Sequence, residues 1–275
     1  MGVMLGGLSP SSLKPLAAVI CCLWAAVTIG PPAQAAQYLA KAATTGDWGQ
    51  ASTWTNNAVP DADADVEITN AGSVVILSSP AASLNSLNVS ATLMFTNWTS
   101  AMTSMNVTVL SGGLITLPAA FTNYMTSNRV WIICSNLFVA SGGQINVDGM
   151  GWAGADGYYT NGNGPGGGYG YGGQNYCAGG GYGGRGGWAY YVGMGHMGYF
   201  RQGGGPYGVA NDPVEPGSGG GGTPLTLLGG SPGDQGGHGG GAILIQASGT
   251  VTVNGTLTAS GTGGQGTYAG GGSGG

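Results

Sequence analysis

The stretch that decides the fold is "SGGLITL", Ser111–Leu117, because it returns as "SGGQINVDG", Ser141–Gly149. A third copy is read at "ASGTVTVNG", Ala247–Gly255. Aligned on Gly113, Gly143 and Gly249, the apolar positions coincide at Ile115, Ile145 and Val251, and again at Leu117, Val147 and Val253. A strand-like run precedes each copy: "NVTVL", "SNLFVA" and "AILIQA". The unit is therefore a strand, a Ser-Gly turn, and a second strand whose inward residues alternate. Copies in phase can stack, each strand hydrogen-bonding to its equivalent in the next copy, so that inward Ile, Val and Leu form ladders. This predicts an all-β protein built as a right-handed parallel β-helix. An antiparallel sandwich also uses short alternating strands, but gives no reason for one turn to recur in phase with one inward pair.

Outward from the repeat, the chain divides by composition. From Asp65 to Leu117 short runs such as "DVEI", "SVVIL" and "ATLMF" are separated by Asn, Gly, Ser or Pro, the pattern of strands and turns. No window after the first 35 residues carries a sustained helical period, so little helix is expected. Nine of the 61 glycines precede residue 142, and the rest crowd the second half. The first 35 residues read as a signal peptide: Lys14, the apolar run "LAAVICCLWAAVTIG", then the small-residue site "AQA". That run is short for a membrane span and ends in "GPP", so the mature chain, from Ala36, is expected to be secreted or displayed at the cell surface, with no transmembrane span. Residues 36–148 are then a lead-in segment and β-helix rungs. Residues 149–240 are a partly ordered glycine/aromatic-rich insertion, and 241–275 a further rung with a glycine-rich end. The chain stops inside a glycine block, which suggests a fragment of a longer protein.

Charge narrows the function classes. Charged residues are 5% of the sequence, against a usual quarter or so. Without Lys14, the four remaining cations Lys41, Arg129, Arg185 and Arg201 face ten acidic residues. Nucleic acid is excluded as a partner, since phosphate binding needs clustered Lys and Arg. Arg129 is read as a strand-edge residue, and Arg185 and Arg201 as cations stacked on neighbouring rings.

The lead-in "GDWGQASTWTNNAVPDADADVEI", Gly46–Ile68, resembles the N-terminal segment of large bacterial surface proteins with right-handed parallel β-helices. Trp48, Trp54, Pro60 and Asp65 occupy the positions of that pattern. The end of the chain, "GGGAILIQASGTVTVNGTLTASGTGGQGTYAGGGSGG", is similar to the glycine-rich repeats of pectin-lyase-like and autotransporter-passenger-like proteins. The resemblance implies an exported structural or adhesive protein. Its partners would be carbohydrate or other surface and matrix proteins, met through multivalent weak contact without turnover. A polysaccharide lyase or hydrolase domain and a glycine-rich coat component are the alternatives. The glycine-rich segments are expected to pack backbone against backbone, with aromatics covering the flank. Contact-surface candidates are Trp152, Tyr158, Tyr159, Tyr171, Tyr182, Trp188, Tyr190 and Tyr191.

Other chemistry is sparse. In "DADADVE", an extended chain would place Asp61, Asp63, Asp65 and Glu67 on one face, where Ca²⁺ could relieve their repulsion; a solvated edge is the simpler reading. No other cofactor is expected. Asp148 and Asp156 could form a carboxylate pair or cap turns. His196 and His238 have no clustered second ligand. Cys21 and Cys22 leave with the leader, and Cys134 with Cys177 are an even pair in an oxidising compartment. A disulfide between them would contribute roughly 3–4 kcal/mol; two separate buried thiols are the other option.

Overall fold

The computed structural model describes residues 37–124, 127–156, 161–170, 176–191, 199–209, 214–223, 233–266 and 268–275. The expected signal peptide lies outside them. The described chain is all-β, with helical geometry confined to a 3₁₀ turn at Ala51–Thr53 and a 3₁₀ residue at Tyr124. Among these residues no helix is long and apolar enough to cross a membrane.

Strands alternate between two parallel sheets. The first holds β1 (Gln37–Leu39), β3 (Asp65–Ile68), β5 (Leu84–Val89), β7 (Met102–Val109), β9 (Arg129–Val139), β13 (Ala242–Ala247) and β14 (Val251–Val253). The second holds β2 (Thr45–Asp47), β4 (Val74–Leu77), β6 (Thr92–Phe95), β8 (Leu114–Thr116), β10 (Gln144–Asn146) and β15 (Thr256–Thr258). From β1 to β10 the chain crosses to the other sheet after every strand. Every pairing within these two sheets is parallel and adds one strand to the growing edge.

Register makes ladders. Tyr38, Val66, Leu87, Val107, Leu137 and Val251 are successive partners in the first sheet. Val75, Leu93, Ile115, Ile145 and Leu257 succeed one another in the second. The period of two turns these side chains toward the facing sheet, and most are completely buried. Each fully buried Leu, Ile or Val contributes roughly 1.5–3 kcal/mol relative to its exposed state. Trp48 and Trp54 lie at the start of this core, their ring centroids 5.0 Å apart and nearly perpendicular. The Trp54 indole N–H donates to the Trp48 carbonyl at 3.0 Å, so the two tryptophans of the lead-in close one end of the aliphatic stack.

The expected third repeat copy is corrected. Ile115 and Ile145 are partners, but the next in line is Leu257, while Val251 pairs with Leu137 in the other sheet. The reason is the length of β9. β13 pairs with its first half, through Ala247 opposite Cys134, and β14 resumes at Val251 opposite Leu137. Three residues, Ser248 to Thr250, therefore face two, Ser135 and Asn136: a bulge in a parallel pair. Gly249 belongs to this bulge, where an added Cβ would lie 2.8 Å from both the Ser135 carbonyl oxygen and Asn136 Oδ1. The true equivalent of Gly113 and Gly143 is Gly255, and at all three an added Cβ would strike backbone carbonyls of earlier residues in the chain.

Beyond β10 the glycine-rich chain forms a second kind of layer. The segment 217–222 is hydrogen-bonded through its backbone to stretches near 151–155, 161–168, 178–181, 236–241 and 270–275. The bonding has a period of three. Gly217 and Gly220 donate to Gly240 and Gly237; Gly236 and Gly239 donate to Ala155 and Trp152; Gly237 and Gly240 donate to Gly270 and Ser273. A β-strand bonds in one plane with period two, whereas an extended chain with three residues per turn presents its donors to several neighbours in rotation. Glycine is required for close approach: a Cβ at Gly220, Gly236, Gly239 or Gly240 would lie under 3.0 Å from a neighbouring carbonyl. The end of the chain, 270–275, is part of this layer.

Candidate functional site

The contact-surface residues separate into three groups. Trp152 is buried, 3% exposed, with its ring 4.7 Å from Phe121 and 4.7 Å from Tyr124, and it is corrected from contact surface to packing residue. Burial follows from its position: its backbone bonds to Gly217 and Gly239, drawing the indole between the glycine layer and the strands. Tyr182 is half-buried beside Tyr207, with ring centroids 5.0 Å apart. Trp188 and Tyr190 are exposed. Tyr190 lies in β11 (Ala189–Tyr191), which pairs antiparallel with β12 (Tyr199–Arg201). There Phe200, 63% exposed, stacks at 4.7 Å on Tyr190 and edge-on at 6.4 Å from Trp188. Tyr158, Tyr159, Tyr171 and the Tyr191 side chain lie outside the described residues.

The acidic run is not one extended face. A turn at Ala62–Asp63, with Asp63 at φ 60°, separates Asp61 from Asp65. Asp61 accepts from the Tyr38 hydroxyl, Asp65 from Asn85 Nδ2 and Ser86 Oγ, and Glu67 from Gln37 Nε2. The shared-face geometry behind the calcium expectation is therefore corrected, and among the described residues no group of three or more His, Cys, Asp or Glu could hold a metal ion. Asp148 Oδ1 accepts from Thr258 Oγ1 at 2.6 Å and from the Ser260 amide at 2.5 Å, tying the second sheet to its last strand. His238 Nδ1 accepts the Gly154 amide at 2.9 Å inside the glycine layer; His196 lies outside the described residues.

The expected disulfide is also corrected. Cys134 and Cys177 are separate and both buried. Alternation along β9 aims Cys134 into the aliphatic core, whose buried cluster does not include Cys177. Burial raises the Cys134 thiol pKa, which disfavours the thiolate form.

The structure brings together a group that sequence reasoning missed. Trp98, Tyr124, Ser127, Trp152, Glu215 and Pro216 line a cleft of about 310 Å³. Trp98 follows β6, Tyr124 and Ser127 lie between β8 and β9, and Glu215 enters from the glycine-rich half. Arg129, at the start of β9, stands behind Trp98: its Nε donates to the Trp98 carbonyl at 2.9 Å. Its guanidinium carbon lies 4.9 Å from the Trp98 ring centre and 4.2 Å from that of Trp131. Burial lowers the Arg129 pKa, and the charge of Glu215 opposes that shift. The backbone carrying Glu215 is held by two tyrosines. The Glu215 amide donates to the Tyr182 hydroxyl, and the Tyr207 hydroxyl donates to the Pro216 carbonyl. Burial raises the Tyr207 pKa, so the phenol stays a donor. Arg129 is thus a ring-stacked cation, the role expected for Arg185 and Arg201. Its flanking tryptophans, Trp98 and Trp131, were the available signal, but they are far apart in sequence.

No protein-family model, curated protein or solved structure matches the chain.

Proposed function

We propose that this chain is an exported structural and adhesive surface protein, built on a right-handed parallel β-helix, that contacts carbohydrate or protein through aromatic side chains held on a glycine scaffold. Alternating crossings between two parallel sheets support the helix, and parallel strands joined through a crossover are right-handed almost without exception. Export rests on the leader pattern of the first 35 residues.

The observation that carries the adhesive reading is the trio Trp188, Tyr190 and Phe200. They stand 50–63% exposed beside one another on a short antiparallel pair. Rigidly held rings lose little entropy on contact, and their faces suit sugar rings and partner aromatics alike. Weak individual contacts would add up by avidity across many copies on a surface.

The experiment is retention of secreted protein on insoluble polysaccharides and on whole cells. The Trp188→Ala/Phe200→Ala double variant, with unchanged circular dichroism, is expected to lose about thirtyfold in retention, as two removed anchors of roughly 1 kcal/mol each would give. Equal retention of variant and parent would sink the adhesive reading. N-terminal sequencing of secreted protein is expected to begin at Ala36.

A further inference from the structure

We propose that the cleft between Trp98, Tyr124 and Glu215 is a recessed subsite for one neutral pyranose ring of a polysaccharide, separate from the exposed aromatic trio. The inference rests on the carbohydrate-contact reading above and gives it a specific seat.

Three features argue for this occupant. The first is size: about 310 Å³ stands at the small end of ligand pockets, enough for one sugar ring and unsuited to a large cofactor. The second is the wall chemistry. Trp98, Tyr124 and Trp152 present aromatic surface, with Tyr124 set edge-on to Trp152 at 81°. Such surfaces receive the C–H face of a pyranose, while its hydroxyls point to the rim. Hydroxyl partners are present there: the Glu215 carboxylate accepts, and Ser127 Oγ, whose own proton goes to the Tyr124 carbonyl at 2.8 Å, also accepts.

The third feature is charge. Among the described residues Glu215 is the carboxylate that lines the cleft, and Arg129, whose charge interacts with it, bonds the Trp98 carbonyl and lies 4.9 and 4.2 Å from two indole centres. No Lys or Arg among the described residues lines the cleft, so an anionic uronate would meet the Glu215 charge with no lining cation beside it. A neutral sugar meets two acceptor oxygens. The seat is also stiff: Tyr182 and Tyr207 fix the backbone on either side of Glu215, and Ser218 Oγ in turn donates to the Tyr207 hydroxyl at 3.0 Å. Preformed geometry reduces the ordering cost of binding a small ligand.

The test uses the secreted protein with isotopically labelled tryptophan, observed by nuclear magnetic resonance. It is titrated with the methyl glycosides of glucose and N-acetylglucosamine, with methyl galacturonoside, and with a proline-rich peptide. The neutral glycosides are expected to move the Trp98 and Trp152 indole signals, at millimolar concentration, and to leave those of Trp48 and Trp54 in place. Tyr124→Ala, at a position 67% exposed, should fold normally and bind about tenfold more weakly, the loss of one stacking wall. Glu215→Gln is expected to admit the galacturonoside. Trp188→Ala should leave glycoside binding in the cleft unchanged while lowering retention on polysaccharide. If no glycoside moves the Trp98 and Trp152 signals, or only the peptide does, the subsite is overturned. Movement confined to Trp188 would likewise overturn it while leaving the adhesive reading standing. Unaltered affinity in Tyr124→Ala would refute the aromatic seat.

Discussion

At the scale of single residues, glycine in this protein serves two separate ends. Gly112 and Gly142, both at φ 82°, supply a left-handed turn that residues with a Cβ adopt at a cost. The glycines of the second layer mostly avoid that region and are needed because carbonyls of adjacent segments stand where a Cβ would go. The two roles predict different mutational outcomes. Gly220→Ala forces a methyl against the Gly270 carbonyl and is expected to cost at least about 1–3 kcal/mol, the range for overfilling a packed interior. Gly183→Ala, with nothing within 4 Å of the new methyl, should change stability by less than about 0.5 kcal/mol. Chemical denaturation of the two variants side by side checks this. If both behave alike, the layer is not close-packed.

At the scale of elements, the ladders behave as a stack whose interior and end differ. Ile145 has Ile115 on one side and Leu257 on the other and is fully buried; Leu257 has a partner on one side and is 45% exposed. Ile145→Ala is accordingly expected to destabilise by about 2–5 kcal/mol, and Leu257→Ala by less than about 1 kcal/mol, read from denaturant midpoints. Much of this level was legible in the sequence. The alternation in "DVEI" and "SVVIL" marks strands, and the recurrence of "SGG" marks the turn that returns the chain to the second sheet. The third copy read at Gly249 lies six residues before its structural equivalent, Gly255. The motif "SGT" looks like the turn "SGG", and nothing local distinguishes a turn from a bulge when both want glycine after serine. The distinction lies in β9, more than a hundred residues away, which supplies more strand than β13 alone can pair with.

At the scale of the whole molecule, the glycine layer depends on segments that are distant along the chain. Gly237 and Gly240 donate to Gly270 and Ser273, and Gly180 donates to Gly271. Deleting residues 270–275 is expected to remove hydrogen-exchange protection at Gly180, Gly237 and Gly240. Protection at Val107 and Ile115, inside the strand ladders, should remain. Retained protection at the three glycines would mean the layer holds without its final segment.

Composition and periodicity alone were enough to establish strand content, the scarcity of helix, the stacking of Ile115 on Ile145 and the low charge, because each follows from neighbours a few residues apart. They also announced a glycine-rich region with interleaved aromatics. They did not reveal the period of three in its hydrogen bonds, since glycine repeats carry no side-chain pattern to display a register. The tertiary structure alone decided which aromatics are buried and which exposed, why Cys134 and Cys177 stay apart, and how Trp98, Tyr124, Trp152 and Glu215 come to share one cleft. Those outcomes depend on which strands and loops lie against one another, and that contact is a property of the assembled sheets that no local stretch encodes.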